Sequence, residues 1–361
     1  MSLCLEPRVF LSVYALRLAA GHEKWLNQRR NRMKFNTRNP LSAAELSLYM
    51  PSTQSFLVSL AIRRLVKDRS RGDVDVRFVR SWVNRLMVLP IPHLSVSVKP
   101  FQEAGLKGEW VHSRNAHNER VVLYLHGGGY FFCSPRTHRP VTTALARQLG
   151  GRTLALQYRL APENPYPAAL DDAVAAYRYL LNQGISPQHI AIAGDSAGGG
   201  LALSTLIRLR DLKVPLPSAG VLFSPWTDMA ATGASLDQND HACAMFSADG
   251  IRKARMLYVG QDDPYNPLIS PLYADLTGLP PMLLHVSDNE VLLDDSTRLA
   301  ERARAAGVNV EFRVWKNQPH TWQLFHRLIP EGRESLDQAA HFLNQHFAKC
   351  WDGLDLPYNL P

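Results

Sequence analysis

Ile190-Ala-Ile-Ala-Gly194-Asp195-Ser196-Ala197-Gly198-Gly199-Gly200 is the stretch on which the fold turns. It opens as an apolar run, passes through a G-x-S-x-G match at 194–198, and runs into an Ala- and Leu-rich helical pattern at 197–211. The bare match is common by chance, so the strand before it and the helix after it decide its meaning. A nucleophile on a tight strand-to-helix turn needs small neighbours, because the backbone is strained and the hydroxyl must stand clear. Gly194, Ala197, Gly198, Gly199 and Gly200 supply them. The helix N-terminus also aims its partial positive charge at an anion forming beside Ser196. A glycine-rich phosphate loop is the alternative, but the Lys-Ser/Thr ending and the G-x-G-x-x-G spacing are both missing.

Outward from this stretch, short apolar runs alternate with helical patterns. Strands are expected at 121–125, 153–158, 190–194, 220–224, 282–286 and 310–315, and helices at 137–149, 168–182, 197–211, 294–306 and 333–348. Strands buried on both faces and separated by helices predict an α/β fold with a mostly parallel central sheet flanked by helices. Upstream, alternation in Leu94-Ser-Val96-Ser-Val98 suggests an exposed strand. Residues 1–100 read mostly as helix, with breaks at Asn39-Pro40 and Met50-Pro51 and an end at Pro90-Ile-Pro92. The segment 54–67 places Phe56, Leu60 and Leu65 near one face. Residues 226–270 lack strand texture and read as an additional lid segment.

A second motif, His126-Gly127-Gly128-Gly129-Tyr130, follows the first buried strand directly. A tetrahedral oxyanion needs backbone N–H donors that side chains do not block, and successive glycines expose them. Its place, after an early strand and upstream of the Ser196 turn, is where a hydrolase carries its oxyanion loop.

Together with Tyr158-Arg-Leu-Ala-Pro-Glu-Asn-Pro-Tyr-Pro-Ala-Ala-Leu-Asp-Asp172, these motifs resemble the hormone-sensitive-lipase family of esterases, the bacterial family IV lipases, over roughly residues 95–350. The resemblance implies the α/β-hydrolase fold, an N-terminal helical cap, and carboxylic ester hydrolysis without a cofactor. It places the oxyanion donors on the N–H groups of Gly128, Gly129 and Ala197. On this reading residues 1–95 are an N-terminal arm and cap, and 96–361 the catalytic domain. The first 40 or so residues exceed the usual cap.

A serine nucleophile needs a base and an orienter, in chain order Ser, acid, His. Among 13 histidines, His320 in Gln318-Pro-His320-Thr-Trp322 lies between a late strand and the last helix, the family's position for the base. For the acid, Ser287-Asp288-Asn289-Glu290-Val-Leu-Leu-Asp294-Asp295 offers several carboxylates. The family usually shows Asp-Pro-Leu-x-Asp-Glu there, and its first Asp falls on Glu290. Glu in place of Asp is a departure, and Asp294 and Asp288 stay as rivals. Tyr158, Arg159, Asp171 and Asp172 read as structural braces, and Asp195 as support for the turn. Trp226, Phe131, Phe132 and Trp322 read either as pocket lining or as core.

The 361 residues are 46% hydrophobic and 20% charged, as in an ordinary soluble globular protein. Cys4, Cys133, Cys243 and Cys350 are scattered, with neither a disulfide framework nor metal-ligand spacing, so no metal is expected. The net charge of +8 is uneven: residues 1–100 hold 17 Lys and Arg against 6 Asp and Glu. Arg29, Arg30, Arg32 and Lys34 are densest, yet no nucleic-acid motif accompanies them, so no nucleic-acid partner is expected. Val9–Ala20 is too short and too interrupted to span a bilayer, and makes a poor signal peptide. The default location is cytoplasmic. The basic arm leaves room for peripheral membrane contact, and a homodimer is also open. The expected function is hydrolysis of short- to medium-chain carboxylic esters. A lactonase or an arylacetamide-deacetylase-like amidase would use the same residues, and a non-catalytic receptor on this scaffold would be expected to lack the base that His320 supplies.

Overall fold

A β-hairpin opens the sheet. Strand β1 (Val96–Glu103) turns through Ala104 and Gly105, at φ 53° and 76°, into β2 (Leu106–Ser113). Two successive left-handed residues match the right-handed twist of paired strands. β2 lies antiparallel to β4 (Arg152–Leu156), and from there every pairing is parallel. The remaining strands are β3 (Val121–Leu125), β5 (Ile190–Asp195), β6 (Ala219–Phe223), β7 (Met282–Ser287) and β8 (Val310–Trp315), in the order β1-β2-β4-β3-β5-β6-β7-β8. The computed structural model describes residues 51–69, 75–86, 95–114 and 119–348. The described residues from 54 onward form one compact unit.

Successive side chains of a strand point to opposite faces, so each central strand feeds two cores. Leu123, Leu125, Ile190, Ile192, Leu222 and Leu284 face one layer, with α4 (Ala168–Asn182), α5 (Ala197–Asp211) and α8 (Leu293–Ala305). Val122, Tyr124, Ala191, Ala193, Val221 and Phe223 face the other, with α3 (Arg139–Leu149) and α9 (Pro330–Ala348). Burial on both sides explains why these strands are continuous apolar runs.

The alternation expected at 94–98 coincides from Val96 onward with β1, which runs on to Glu103, while Leu94 lies outside the described residues; β2 lacks a sequence signal because Lys107, Gly108 and Glu109 interrupt it. The strand expected at 153–158 runs 152–156. Two earlier helices, α1 (Thr53–Leu65) and α2 (Val76–Leu86), precede the hairpin. In α1 the buried residues are Ser55 and Ile62, whereas Leu65 is 43% exposed. Of Phe56, Leu60 and Leu65, expected near one face, the first two are half-buried and Leu65 departs, because nine residues at 3.6 per turn put it about 180° from Phe56. Residues 226–270 carry α6 (Ser235–Gln238) and α7 (Ala248–Val259); Trp226, Met229, Ile251 and Tyr258 join the first core.

The expectations for residues 1–50, including Val9–Ala20, the Arg29–Lys34 cluster and any membrane or dimer contact of the arm, lie outside the described residues, as do Pro90-Ile-Pro92, Cys4 and Cys350. Among the described residues no helix is long and apolar enough to cross a membrane.

Candidate active site

Ser196 stands between the end of β5 and the first turn of α5, at φ 53° and ψ −124°. A non-glycine residue in that region stores roughly 1–3 kcal/mol and needs surroundings that over-determine it. Here its N–H donates to Phe223 O (2.8 Å), and its carbonyl accepts from Trp226 N (2.9 Å) and Gly200 N (3.1 Å). The turn is thus pinned to the segment after β6. Gly198 is required by close approach: a Cβ there would meet Leu125 O at 2.0 Å and His126 O at 2.5 Å. The elbow and the glycine loop touch backbone to backbone.

That loop is shaped by Gly128, at φ 111°, whose carbonyl accepts from the N–H groups of Phe131 (3.0 Å) and Phe132 (2.9 Å). The N–H groups of Gly128 and Gly129 find no acceptor among the described residues. Ala197, in the first turn of α5, has an N–H without an intrahelical acceptor. The three donors assigned from the sequence are therefore available.

Asp195 ties loop to elbow. Its carboxylate accepts from Tyr124 OH (2.7 Å) and Gly127 N (3.0 Å), and lies 3.2 Å from His138 Nε2. Burial alone would raise this carboxyl; the charge of His138 and the three hydrogen bonds override it and hold the group below its usual range. The neighbouring His126 is pushed down to about 3, first by burial and then by His138, so its ring is neutral at pH 7. It stacks on Tyr158 at 4.3 Å, and Tyr158 OH donates to His126 O (2.6 Å). The sequence reading of Asp195 as support for the turn agrees with these bonds. It missed His138 and Tyr124, which carry no local motif and lie 57 and 71 residues from Asp195.

Glu290 is fully buried after β7. Its Oε1 accepts from Ser224 Oγ (2.7 Å) and Ser287 N (2.8 Å), and its Oε2 is hydrogen-bonded to His320 Nδ1. A buried carboxylate demands this many partners. His320 Nε2 is buried without a hydrogen-bond partner among the described residues, and the ring packs edge-on against Phe246 at 5.1 Å. The rivals go elsewhere: Asp294 accepts from Ser235 N (3.0 Å), and Asp288 accepts from Asn317 N (2.7 Å) and pairs with Lys316. A chain of bonds connects the parts, from Ser196 through Phe223 to Ser224, then to Glu290 and His320. Trp226 and Trp322 are core residues, 2% and 0% exposed. No group of three or more His, Cys, Asp or Glu among the described residues is placed to hold a metal.

The sheet order, the turn at Ser196 and the glycine loop beside it follow the α/β-hydrolase plan. A model of alpha/beta hydrolase fold proteins matches residues 122–324. An acetyl-hydrolase of Streptomyces hygroscopicus is 46% identical over 236 residues, covering 65% of this chain and 78% of the relative. An esterase of Acinetobacter venetianus is 37% identical over 282 residues, covering 78% of this chain and 93% of the relative. The crystal structure of an esterase from the bacterial hormone-sensitive lipase family superposes with a TM-score of 0.79 at 40% identity, over 82% of this chain and 100% of that one. The chain belongs to the α/β-hydrolase family, among the hormone-sensitive-lipase-like esterases.

Proposed function

We propose that the chain is a serine carboxylesterase that hydrolyses short- to medium-chain esters through an acyl-enzyme on Ser196, with His320 as base and Glu290 as its orienter. His320 Nε2 takes the proton from Ser196 Oγ as that oxygen attacks the ester carbonyl. The N–H groups of Gly128, Gly129 and Ala197 hold the oxyanion, each such donor being worth roughly 10²–10³ in turnover. Glu290 keeps the His320 proton on Nδ1 and stabilises the imidazolium. The proton then passes to the leaving alcohol, and water repeats the cycle on the acyl-enzyme.

The observation that carries this reading is the His320–Glu290 pair: Nδ1 is bonded to a buried carboxylate while the buried Nε2 is left without a partner. Catalytic bonds to the nucleophile often tighten only with substrate present. The name of the 46% identical relative, an acetyl-hydrolase, supports the short-acyl end of the range. In the domain layout that goes with this function, 1–95 is arm and cap, 96–361 is the catalytic domain, and 226–270 is an additional lid segment. The last assignment is supported by Phe246 on His320 and by Tyr258 stacked on Tyr130 at 3.6 Å. The test is hydrolysis of p-nitrophenyl esters from acetate to palmitate by wild type and Ser196→Ala. Turnover of the short esters by wild type, with none in the variant, is expected. A folded wild type inactive across the series would overturn the proposal.

A further inference from the structure

We infer that helix α1 is a strap that positions the base, with Ser55 and Gln318 as positioning residues for His320; this rests on the catalytic roles proposed above. Ser55 is the first fully buried residue of the helix, and a serine with no exposure requires a partner. It donates from Oγ to Gln318 Oε1 at 2.7 Å. Gln318 is itself buried and is held at three points. Its Nε2 donates to Lys316 O (3.0 Å), and its N–H donates to Ser287 Oγ (2.8 Å). Ser287 in turn gives its own N–H to the Glu290 carboxylate. One residue separates Gln318 from His320, and that residue is Pro319, which has a fixed φ and no N–H. The orientation of the Gln318 amide is therefore handed on to His320 with little slack.

The other end of α1 grips the opposite flank, roughly 12 Å along the helix at 1.5 Å per residue. Arg63 Nη2 donates to the carbonyls of His241 (2.8 Å), Ala242 (2.9 Å) and Cys243 (3.2 Å). Lys67 Nζ donates to Cys243 O (3.0 Å) and to Asp240 O. Asn239, at the start of this turn, donates from Nδ2 to Glu290 O (2.8 Å) and Asp288 O (3.1 Å). Phe246, just beyond it, packs on the His320 ring. One helix outside the sheet thus fastens the acid–base pair from both sides. A base must hold its geometry closely, and a displacement of about 1 Å can cost roughly 10²-fold in rate.

The experiment is steady-state kinetics of the full chain with p-nitrophenyl butyrate, comparing wild type, Ser55→Ala, Gln318→Met, their double variant and Arg63→Met. Thermal unfolding and one-dimensional proton NMR of the same samples accompany it. The expected result is a roughly ten- to hundredfold fall in kcat for Ser55→Ala and Gln318→Met, with KM within about twofold. The double variant should be no worse than the poorer single one, because the two residues act through one bond. The low-field resonance of the His320 Nδ1 proton should broaden or move in both. Arg63→Met, at the exposed end of the strap, should show the same kcat-selective loss at smaller size. Variants that unfold at lower temperature yet keep wild-type kcat and an unmoved Nδ1 proton would overturn the inference, leaving α1 as packing alone. Retained activity in Ser196→Ala is a separate result that would overturn the catalytic reading itself.

Discussion

Replacing Glu290 by glutamine leaves the shape of the site unchanged and reverses one hydrogen bond. Oε1 accepts from two donors, Ser224 Oγ and Ser287 N, so the amide oxygen of Glu290→Gln settles there. The amide NH2 then faces His320 Nδ1, which must become an acceptor, and the ring proton moves to Nε2. That tautomer cannot take a proton from Ser196, and loss of the orienter's function by such a tautomer change costs about 10⁴ in turnover, roughly 5 kcal/mol. The flipped amide restores the tautomer but sets an N–H against the Ser287 N–H, leaving buried donors unmatched at roughly 1–3 kcal/mol. Even through that route the rate falls by about ten- to hundredfold, before the lost stabilisation of the imidazolium is added. The expected loss in kcat therefore lies between about 10² and 10⁴, with thermal stability close to wild type. Asp294→Asn, whose carboxylate serves Ser235 N, should stay within a few-fold of wild type. The assay is p-nitrophenyl acetate and butyrate hydrolysis beside a thermal melt. A folded Glu290→Gln variant within tenfold of wild type, or Asp294→Asn as the inactive one, would refute the assignment.

Two further outcomes follow from buried groups. Asp295 accepts from the N–H groups of Thr227 (2.7 Å) and Asp228 (2.8 Å), and its carboxyl is pushed up to about 8 by burial and then by the Asp228 carboxylate. A folded value above the unfolded one of about 3.9 means that the folded state keeps the proton. The associated stability is present at low pH and lost as pH rises toward 8, at up to roughly 1 kcal/mol per pH unit. Asp295→Asn, which mimics the neutral acid, should flatten the fall of Tm between pH 5 and 8; an unchanged slope would contradict this origin. Gly198→Ala drives a Cβ into the carbonyls of Leu125 and His126. It should separate the elbow from the oxyanion loop, lowering kcat by about 10²-fold and stability by roughly 1–3 kcal/mol. Near-normal kinetics in that variant would show that this close approach does not set the oxyanion geometry.

The parts of the fold that were legible in the sequence are those whose physics is local. Strands β3, β5, β6 and β7 are buried on both faces and so appear as unbroken apolar runs. The Ser196 turn and the glycine loop are dense in small residues because two backbones meet there. Strand β2 was not legible: its burial is patchy, and its partners β1 and β4 determine its place. The burial of Ser55 in α1 was not legible, because its hydroxyl is partnered by Gln318, 263 residues away. Within the candidate site, the roles proposed for Ser196, His320 and Glu290 rest on motif order and family resemblance. Ser224, Tyr124 and His138 were not legible, since hydrogen bonds across 66, 71 and 57 residues leave no trace in spacing, and Ser287, three residues before Glu290, carries no motif of its own.

Covalent trapping tests the central claim most directly. Wild type incubated with a p-nitrophenyl alkylphosphonate should lose activity in step with the gain of one phosphonyl group by intact mass. Peptide mapping should place that group on Ser196, and Ser196→Ala should gain none. Full inactivation with the label on another residue, or an active wild type that never takes up the label, would contradict the assignment of Ser196 as the nucleophile.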